Sequence, residues 1–574
     1  MANLLLLAAG AVISLLGGHH LDQDIHDDPR WNCHPFLPPL FAEHPPSASH
    51  PALLETIDEL HAKLSQRFEE LDIDSLSVAV VTSAGPVFEH NWGVLRANES
   101  VSGPVTSHSI YRIASVSKLF AAFEGWVLHQ KGRLSWEDPV RVYLPQFAYR
   151  LDGFSESEPG PTMDDYPITI SQLASHTSGI GRDWPPGTAV NWPHTLEGGG
   201  PPPINGLPFP SEGQLFSAIA STRMTYPPAF YPMYSNTGTG LLGLTLVAAN
   251  RLHGEPEEPD SYAALMKRDV FGPLGLNGSS FIASDANKDL LVVPSEESDI
   301  VDMDFTDTMN AGGGQFASLS DFVKLSQTLL NPRRSDALLS PYSVQRWLRP
   351  VFSFEEDHWT EAGLVWEILR QEDSNGRPRK IFWKLGSVAS FNTVLSIHPG
   401  SGYGVSLLMS GRYSEAAKLA YEVFGIMQPA MDAALAEAAA QLYAGDWTSS
   451  DNGSSAHVVV NKGTLFVEVL ILEGVDALRT LGAKTGERFA LRYAGRYDEF
   501  RIDMGRPEIN GQKHMGCMSH WAGIDELPML NGATVNTLYF SGEGVDRRLH
   551  IPSLKIVMSR RTQTWDYAPK DLLF

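Results

Sequence analysis

Residues 110–132 read IYRIASVSKLFAAFEGWVLHQKG, a strand-like run followed by a helix-like one. Its first five residues suit a strand, and the residues from Lys118 onward have the composition of a helix. The junction is SVSK, the only Ser-x-x-Lys in the sequence, in which Ser115 and Lys118 face the same side of a helical turn. A serine hydroxyl needs an adjacent base, and burial near another cation lowers a lysine pKa. The stretch therefore predicts a nucleophile and its activating amine at a strand-to-helix junction.

A second motif is Tyr-Ser-Asn at residues 234–236, which precedes the helix-like stretch TGTGLLGLTLVAAN. A phenol beside two lysines ionises more readily and can serve as a general base, which makes Tyr234 a candidate for proton transfer. The amide of Asn236 offers both a donor and an acceptor, so it can orient a lysine and the substrate.

A third motif is Lys-Leu-Gly-Ser at residues 384–387, between the strand-like KIFW and SFNTVLSIHP. Because Gly386 has no side chain, a substrate can approach the strand edge there. The N–H of Ser387 is a candidate donor to a developing oxyanion, and Lys384 supplies positive charge at the same place. A second string, KTG at residues 484–486, lies in a turn between predicted C-terminal strands and is rejected on its position.

Ser-x-x-Lys, Tyr-x-Asn and Lys-x-Gly in this order resemble the motif set of serine β-lactamases and penicillin-binding proteins. The Tyr-x-Asn form is similar to that of class C enzymes, D-alanyl carboxypeptidases and related esterases. ITISQLASHTSGI (168–180), LSWEDPVRVYLP and AGGGQFASLSDF also resemble family patterns. The resemblance covers residues 53–427 and implies an α/β fold, with an antiparallel sheet flanked by helices and a helical subdomain. The region from Tyr443 resembles the accessory C-terminal β domain of fungal β-lactamase-like proteins.

The resemblance also implies a role for each motif residue. Ser115 becomes the nucleophile, Lys118 its activating partner and Tyr234 the base or proton relay. Asn236, Lys384 and Gly386 position and bind the substrate. The N–H groups of Ser115 and Ser387 donate hydrogen bonds to the oxyanion.

Three features depart from the family pattern or lie outside its chemistry. Leu385 replaces the usual threonine and removes a hydroxyl that often helps to bind a substrate carboxylate. The proline-rich insertion between Asp183 and Pro210 is unlike compact bacterial enzymes. Both features argue against penicillin as the natural substrate. We interpret His176 as a packing residue of its turn, because the role of base is already filled.

The chain is too long for one ordinary core, so at least two domains are expected. We interpret residues 1–18 as a signal peptide, 19–51 as an irregular arm, 52–430 as the catalytic domain and 440–574 as a β-rich accessory domain. Short β-like runs separated by Gly, Asn and Asp turns predict a small antiparallel barrel or sandwich in that last region.

Within the catalytic region, the pattern AGGGQFASLSDFVKLSQTLL predicts a helix over 311–330. We expect Ser320 to cap that helix, because serine side chains accept hydrogen bonds from the free N–H groups of a first turn.

The net charge of −24 argues against nucleic acid as a partner, because phosphate binding needs clustered Lys and Arg. Cys33 and Cys517 either form one disulfide or remain two thiols, and the sequence leaves both open. Neither cysteine has zinc-ligand spacing, and the predicted chemistry needs no metal or cofactor.

The apolar run from Leu4 to Leu16 is too short to span a bilayer and suits a signal peptide, although an N-terminal membrane anchor remains an alternative. Acceptor triplets at Asn98, Asn277 and Asn452 fit a secreted eukaryotic glycoprotein.

The expected function is hydrolysis of a small ester, amide or other acyl substrate through an acyl-enzyme on Ser115. The motifs fix acylation and leave the acceptor open. One alternative is therefore an acyltransferase or cyclising enzyme of fungal secondary metabolism that uses the same acyl-enzyme. A second alternative is an inactive binding protein.

Overall fold

The computed structural model describes residues 33–154, 161–200, 202, 207–255, 257–496, 498–504 and 517–561. The expected signal peptide, residues 1–18, lies outside these residues, as do residues 19–32 of the expected arm. The chain divides into two compact units. The larger unit comprises Phe41–Gln371 and Arg379–Ala430. The smaller unit comprises the described residues up to Leu40, the segment Glu372–Pro378, and the described residues from Met431 onward.

Helices surround an eight-stranded sheet in the larger unit. The helices of the described chain are α1 (Pro51–Phe68), α2 (Ser117–Gln130), α3 (Ile170–Ala174), α4 (Glu212–Ser221), α5 (Asn236–Leu252), α6 (Tyr262–Met266), α7 (Gly272–Leu274), α8 (Thr306–Met309), α9 (Leu319–Leu330), α10 (Pro341–Trp347), α11 (Ala416–Tyr443), α12 (Ala477–Thr480) and α13 (Met518–Gly523). None of the helices in the described part of the chain combines the length and apolarity needed to cross a membrane.

The strands of the larger unit are β1 (Ile73–Thr82), β2 (Gly85–Gly93), β3 (Ile110–Arg112), β4 (Phe316–Ser318), β5 (Pro350–Ser353), β6 (Thr360–Gly363), β7 (Glu367–Glu372), β8 (Pro378–Val388), β9 (Phe391–His398) and β10 (Tyr403–Gly411). The sheet order is β2-β1-β10-β9-β8-β7-β6-β5, with β3 and β4 paired separately. Every residue of β9 and β10 is buried, as expected for strands covered on both faces.

Helix α2 is the centre of the larger unit. All of its residues from Ser117 to Leu128 are buried, and a helix that is apolar all round belongs inside a core. The N-terminus of α2 is therefore fixed by packing on every side, which holds the preceding turn in place.

The predicted helix over 311–330 is wrong in its first third. Asn310–Gly314 forms a single wide turn, and residues 316–318 pair with β3 as strand β4. Helix α9 begins at Leu319, and its cap is Ser318 rather than Ser320. The reason is local: Asp321 completes a reciprocal capping box with Ser318, whereas three consecutive glycines disfavour a helix.

The smaller unit is a closed antiparallel barrel. Its strands are β11 (Gly445–Ser449), β12 (Ser455–Asn461), β13 (Thr464–Leu472), β14 (Val475–Asp476), β15 (Phe489–Tyr493), β16 (Glu499–Asp503), β17 (Met529–Leu530), β18 (Ala533–Thr534), β19 (Thr537–Ser541), β20 (Arg548–Ile551) and β21 (Ile556–Arg560). The main sheet runs β12-β11-β21-β20-β19-β16-β15-β13-β14, and β12 also pairs with β13. That extra pairing closes the sheet.

A disulfide joins Cys33 to Cys517 within the smaller unit. The sequence left this pairing open. The bond links two residues 484 positions apart, so it ties the beginning of the described chain to its C-terminal region.

Candidate functional site

Ser115 lies in a tight turn, Ala114–Val116, between β3 and α2. Ala114 has φ of +47°, a left-handed conformation that is costly for a residue with a side chain. Strand β8 fits closely against this turn. A Cβ on Gly386 would lie 2.2 Å from the carbonyl oxygen of Ile113 and 3.2 Å from the backbone nitrogen of Ser115. Only glycine allows that approach.

The Lys118 amine is fully buried and points at the Ser115 hydroxyl. Its Nζ lies 3.0 Å from Ser115 Oγ and 2.7 Å from Asn236 Oδ1, and it also contacts the carbonyl oxygen of Gly312. The amide and carbonyl oxygens only accept hydrogen bonds. A neutral Lys118 amine therefore donates both of its N–H groups to these two oxygens, and its lone pair points at the Ser115 hydroxyl.

The surroundings of Lys118 make its ammonium easier to deprotonate. Burial lowers the pKa of the Lys118 amine, and although the phenol of Tyr234 opposes the shift, the ammonium of Lys384 adds to it. The net direction is downward, as a lysine acting as a base requires.

Asp183 fixes the orientation of the Asn236 amide. Asn236 Nδ2 donates to Asp183 Oδ1 at 2.7 Å, and the backbone N–H of Asn236 donates to the carbonyl of Arg182. A carboxylate accepts hydrogen bonds only, so the NH₂ group must face Asp183 and the amide oxygen must face Lys118.

Tyr234 is surrounded by positive charge. The centre of its ring lies 4.9 Å from Lys118 Nζ, 5.1 Å from Lys384 Nζ and 4.8 Å from the Arg182 guanidinium carbon. Burial alone would raise the pKa of the phenol, but the charges of Lys118 and Lys384 outweigh it and lower the pKa to about 8. The phenol is thus partly ionised near neutral pH.

Lys384 forms an ion pair with Glu367 on the neighbouring strand β7. Its Nζ lies 2.5 Å from Glu367 Oε1, and the backbone N–H of Leu385 donates to Glu367 Oε2 at 3.1 Å. Burial alone would lower the pKa of the ammonium, but the carboxylate of Glu367 and the phenol of Tyr234 raise it. Lys384 therefore stays charged.

Two cavities meet at Ser115. The larger, about 610 Å³, and the smaller, about 420 Å³, are both lined by Ser115, Arg182 and Ser387. Ser387 pairs with Asn392 in the β8–β9 hairpin, and its side chain is exposed. The close approach of Gly386 to the Ser115 turn places the backbone of residues 115 and 387 at the edge of the same space, as a pair of oxyanion donors requires.

His176 packs against Tyr234. The two rings stack with centroids 4.6 Å apart, and His176 Nδ1 accepts the N–H of Ser235 at 3.2 Å. Burial, together with the charges of Lys118 and Lys384, lowers the pKa of this imidazole well below its usual range. A neutral, stacked ring fits the packing role expected from the sequence.

The structure brings the motif residues around one space and adds four residues that the sequence reasoning did not assign. The motif residues are Ser115, Lys118, Tyr234, Asn236, Lys384, Gly386 and Ser387; the additional ones are Arg182, Asp183, Gly312 and Glu367. By contrast, Lys484, Thr485 and Gly486 lie exposed in a turn of the other unit. The described residues include no group of three or more His, Cys, Asp or Glu placed to hold a metal ion.

A family model described as Beta-lactamase matches residues 60–426. "Beta-lactamase-like protein str6" of Strobilurus tenacellus is 37% identical over 313 residues, which cover 53% of this chain and 99% of that protein. "Beta-lactamase-like protein str5" of the same organism is 41% identical over 223 residues, or 38% of this chain and 79% of that protein.

A solved structure extends the similarity towards the barrel. The octameric penicillin-binding protein homologue from Pyrococcus abyssi aligns with a TM-score of 0.50 and 18% identity, covering 88% of this chain and 100% of that chain. At this identity the similarity concerns the fold, and it agrees with a helix-flanked sheet followed by a β domain.

Proposed function

The chain belongs to the β-lactamase family, and from that premise we propose that it is a serine hydrolase that forms an acyl-enzyme on Ser115. Serine acyl-enzyme chemistry is typical of this family. One observation carries the proposal. The buried amine of Lys118 lies 3.0 Å from the Ser115 hydroxyl and donates hydrogen bonds to Asn236 Oδ1 and the Gly312 carbonyl. The substrate is an ester or amide.

Acylation begins when Ser115 Oγ attacks the substrate carbonyl carbon. The hydroxyl proton passes to Lys118 or, through it, to the Tyr234 phenolate, and the carbonyl oxygen becomes an oxyanion beside the N–H groups of Ser115 and Ser387. As the oxyanion collapses, the bond to the leaving alcohol or amine breaks. The leaving group takes up this proton from the group that received it, Lys118 or Tyr234.

Deacylation reverses these roles. Water attacks the acyl-enzyme carbonyl, and its proton passes to the same base. Ser115 Oγ leaves and is reprotonated, which releases a carboxylic acid and regenerates the enzyme.

Trapping the intermediate tests the proposal directly. Intact-mass analysis after mixing with a fluorophosphonate, and separately with a slowly hydrolysed aryl ester, is expected to show one adduct that maps to the peptide containing Ser115. A folded protein that gains no adduct from either reagent would contradict the proposal and favour an inactive binding protein. Product analysis with an added amine or alcohol distinguishes hydrolysis from acyl transfer.

The pKa of Tyr234 predicts how the rate depends on pH. A general base works in its deprotonated form, so kcat/KM is expected to fall as the pH drops through about 8. Tyr234→Phe is expected to lose this limb of the profile as well as most of the rate. The check is a pH profile of ester hydrolysis for both proteins. A wild-type profile that stays flat from about pH 6 to about pH 9 would exclude Tyr234 as the base.

Asp183→Asn is expected to lower kcat by roughly tenfold, as for a hydrogen bond that orients a catalytic group. An asparagine at this position offers both a donor and an acceptor, so the Asn236 amide loses its fixed direction and can turn its NH₂ towards Lys118. Steady-state kinetics tests this, and Asp183→Glu, which keeps an acceptor-only group, should recover part of the rate. Equal losses in both variants would point to a purely structural role.

We also propose that the protein is secreted and N-glycosylated. Support comes from the disulfide between Cys33 and Cys517, which suits an oxidising compartment, and from the exposure of Asn98, Asn277 and Asn452. Expression in a eukaryotic secretory host should deliver the chain to the medium, and treatment with a glycosidase should lower its mass. Retention inside the cells, without glycan, would contradict this.

A further inference from the structure

The cations around Ser115 all have partners within the site. Lys384 is paired with Glu367 at 2.5 Å, and Arg182 Nε lies 3.3 Å from Asp183 Oδ2 while its guanidinium covers the Tyr234 ring. Lys118 is fully buried behind Ser115. An incoming carboxylate would therefore have to displace Glu367 before it could pair with Lys384, whereas Arg182 contacts Asp183 only through Nε and its side chain is 65% exposed.

The walls of the larger cavity carry negative charge. Besides Asp183, both Glu297 and Asp299 line it, and Arg182 is the one basic residue among its described lining. Glu297 and Asp299 are both exposed. A substrate anion would approach these carboxylates at the cost of like-charge repulsion.

The larger cavity also has an apolar wall. The rings of Phe209 and Phe305 stack with centroids 4.6 Å apart, and both line the cavity. Four further apolar side chains complete the wall, those of Ile300, Met303, Met309 and Val388. Such a surface stabilises an apolar group of the substrate by removing it from water.

Position 385 supplies no hydroxyl to the smaller cavity, although Ser387 and Ser414 line it elsewhere. Leu385 lines it with an aliphatic side chain, and the backbone N–H of Leu385 is already donated to Glu367. The ammonium of Lys384 and this N–H are thus both engaged by one carboxylate. Both donors would have to leave Glu367 before they could bind a substrate anion.

We propose, on the basis of the function proposed above, that the substrate is an uncharged ester or amide with an apolar group, and that Glu367 excludes substrates with a carboxylate beside the scissile bond. Glu367 acts through Lys384, so it is a specificity-determining residue. Lys384 remains charged and supports acylation, but its charge is balanced inside the protein.

A pair of aryl esters tests this inference. The phenylacetyl esters of 3-hydroxybenzamide and 3-hydroxybenzoate share an acyl group and differ in one negative charge on the leaving group. We expect wild type to prefer the neutral ester in kcat/KM by at least about tenfold, the scale of one charged interaction. Glu367→Gln should reduce that preference by about tenfold, because Lys384 then has no carboxylate partner.

Glu99→Gln is the matched control. It removes the carboxylate of an exposed ion pair with Arg96, and Glu99 lines neither cavity, so the preference should change by less than about threefold. Because each result is a ratio of two substrates, a change in the pKa of Tyr234 in Glu367→Gln cancels. Thermal unfolding and fluorophosphonate labelling of each variant confirm that the site is folded.

The outcomes separate the two proposals. If wild type hydrolyses both esters through Ser115 but prefers the anionic one, the inference is wrong and the hydrolase assignment stands. If Glu367→Gln leaves the preference unchanged, the role of Glu367 is wrong. If neither ester acylates Ser115 in folded wild type, the hydrolase assignment and the inference that rests on it both fail.

Discussion

Replacing Ser115 by alanine is expected to lower kcat/KM for ester hydrolysis by roughly 10⁴- to 10⁶-fold, as for the loss of other serine nucleophiles. The mass adduct formed by a fluorophosphonate should vanish with the activity. The nearest other serine in sequence, Ser117, cannot replace Ser115. The Ser117 hydroxyl donates to the carbonyl of Ala114 and accepts the N–H of Gln315 inside the core. It has no access to a substrate.

Ser217→Ala serves as the control for this prediction. It removes a hydroxyl from an exposed position on α4, away from every residue that lines the two cavities, and should leave the rate and the labelling intact. If Ser115→Ala were still labelled at one site and still active, the nucleophile would have to be sought elsewhere in the chain.

Lys118→Met is expected to lower kcat by roughly 10²- to 10⁴-fold, the usual contribution of a general base. Methionine fills much of the same volume but offers neither a basic lone pair nor a donor. Ser115 then keeps its proton, and Asn236 Oδ1 and the Gly312 carbonyl lose their donor. Two buried acceptors without a partner also destabilise the fold, so the melting temperature should fall.

Two measurements separate the chemical effect of Lys118→Met from the structural one. Rates are compared well below the melting temperature of each variant, and Lys118→Arg is measured beside it. Arginine restores donors but stays protonated, so it should recover stability without recovering the rate. A variant Lys118→Arg with nearly wild-type kcat would show that the amine acts only as a donor. Lys418→Met, at an exposed helical position, should change neither quantity.

The residues that the sequence predicted are those whose chemistry is visible locally. Ser115 and Lys118 are three positions apart, so helix geometry alone places their side chains together. The fold class followed from the same motifs, and both the sheet flanked by helices and the C-terminal β domain are confirmed. The choice between barrel and sandwich needed the pairing of β11 with β21, which brings Trp447 beside Arg560 and which no local pattern encodes.

The residues that the sequence did not predict act across long separations. Asp183 meets Asn236 from a loop 53 positions earlier, and the Gly312 carbonyl reaches Lys118 across 194 positions. Glu367 is aligned with Lys384 by the neighbouring positions of β7 and β8 in the sheet. The sequence around an acidic residue in a strand, or around a carbonyl in a glycine run, does not indicate which residue it will contact. Only the tertiary structure shows the partners.

The barrel is assembled from distant parts of the chain. Cys33 is bonded to Cys517, and the Thr464 hydroxyl donates to the carbonyl of Pro35. The ribosome synthesises the chain in order at ~5–20 residues per second, so the first of these stretches waits between about half a minute and about a minute and a half for its last partner. Every motif residue belongs to the unit that ends at Ala430. During synthesis, the catalytic machinery is therefore complete in sequence before any of the barrel strands β11–β21 has been made.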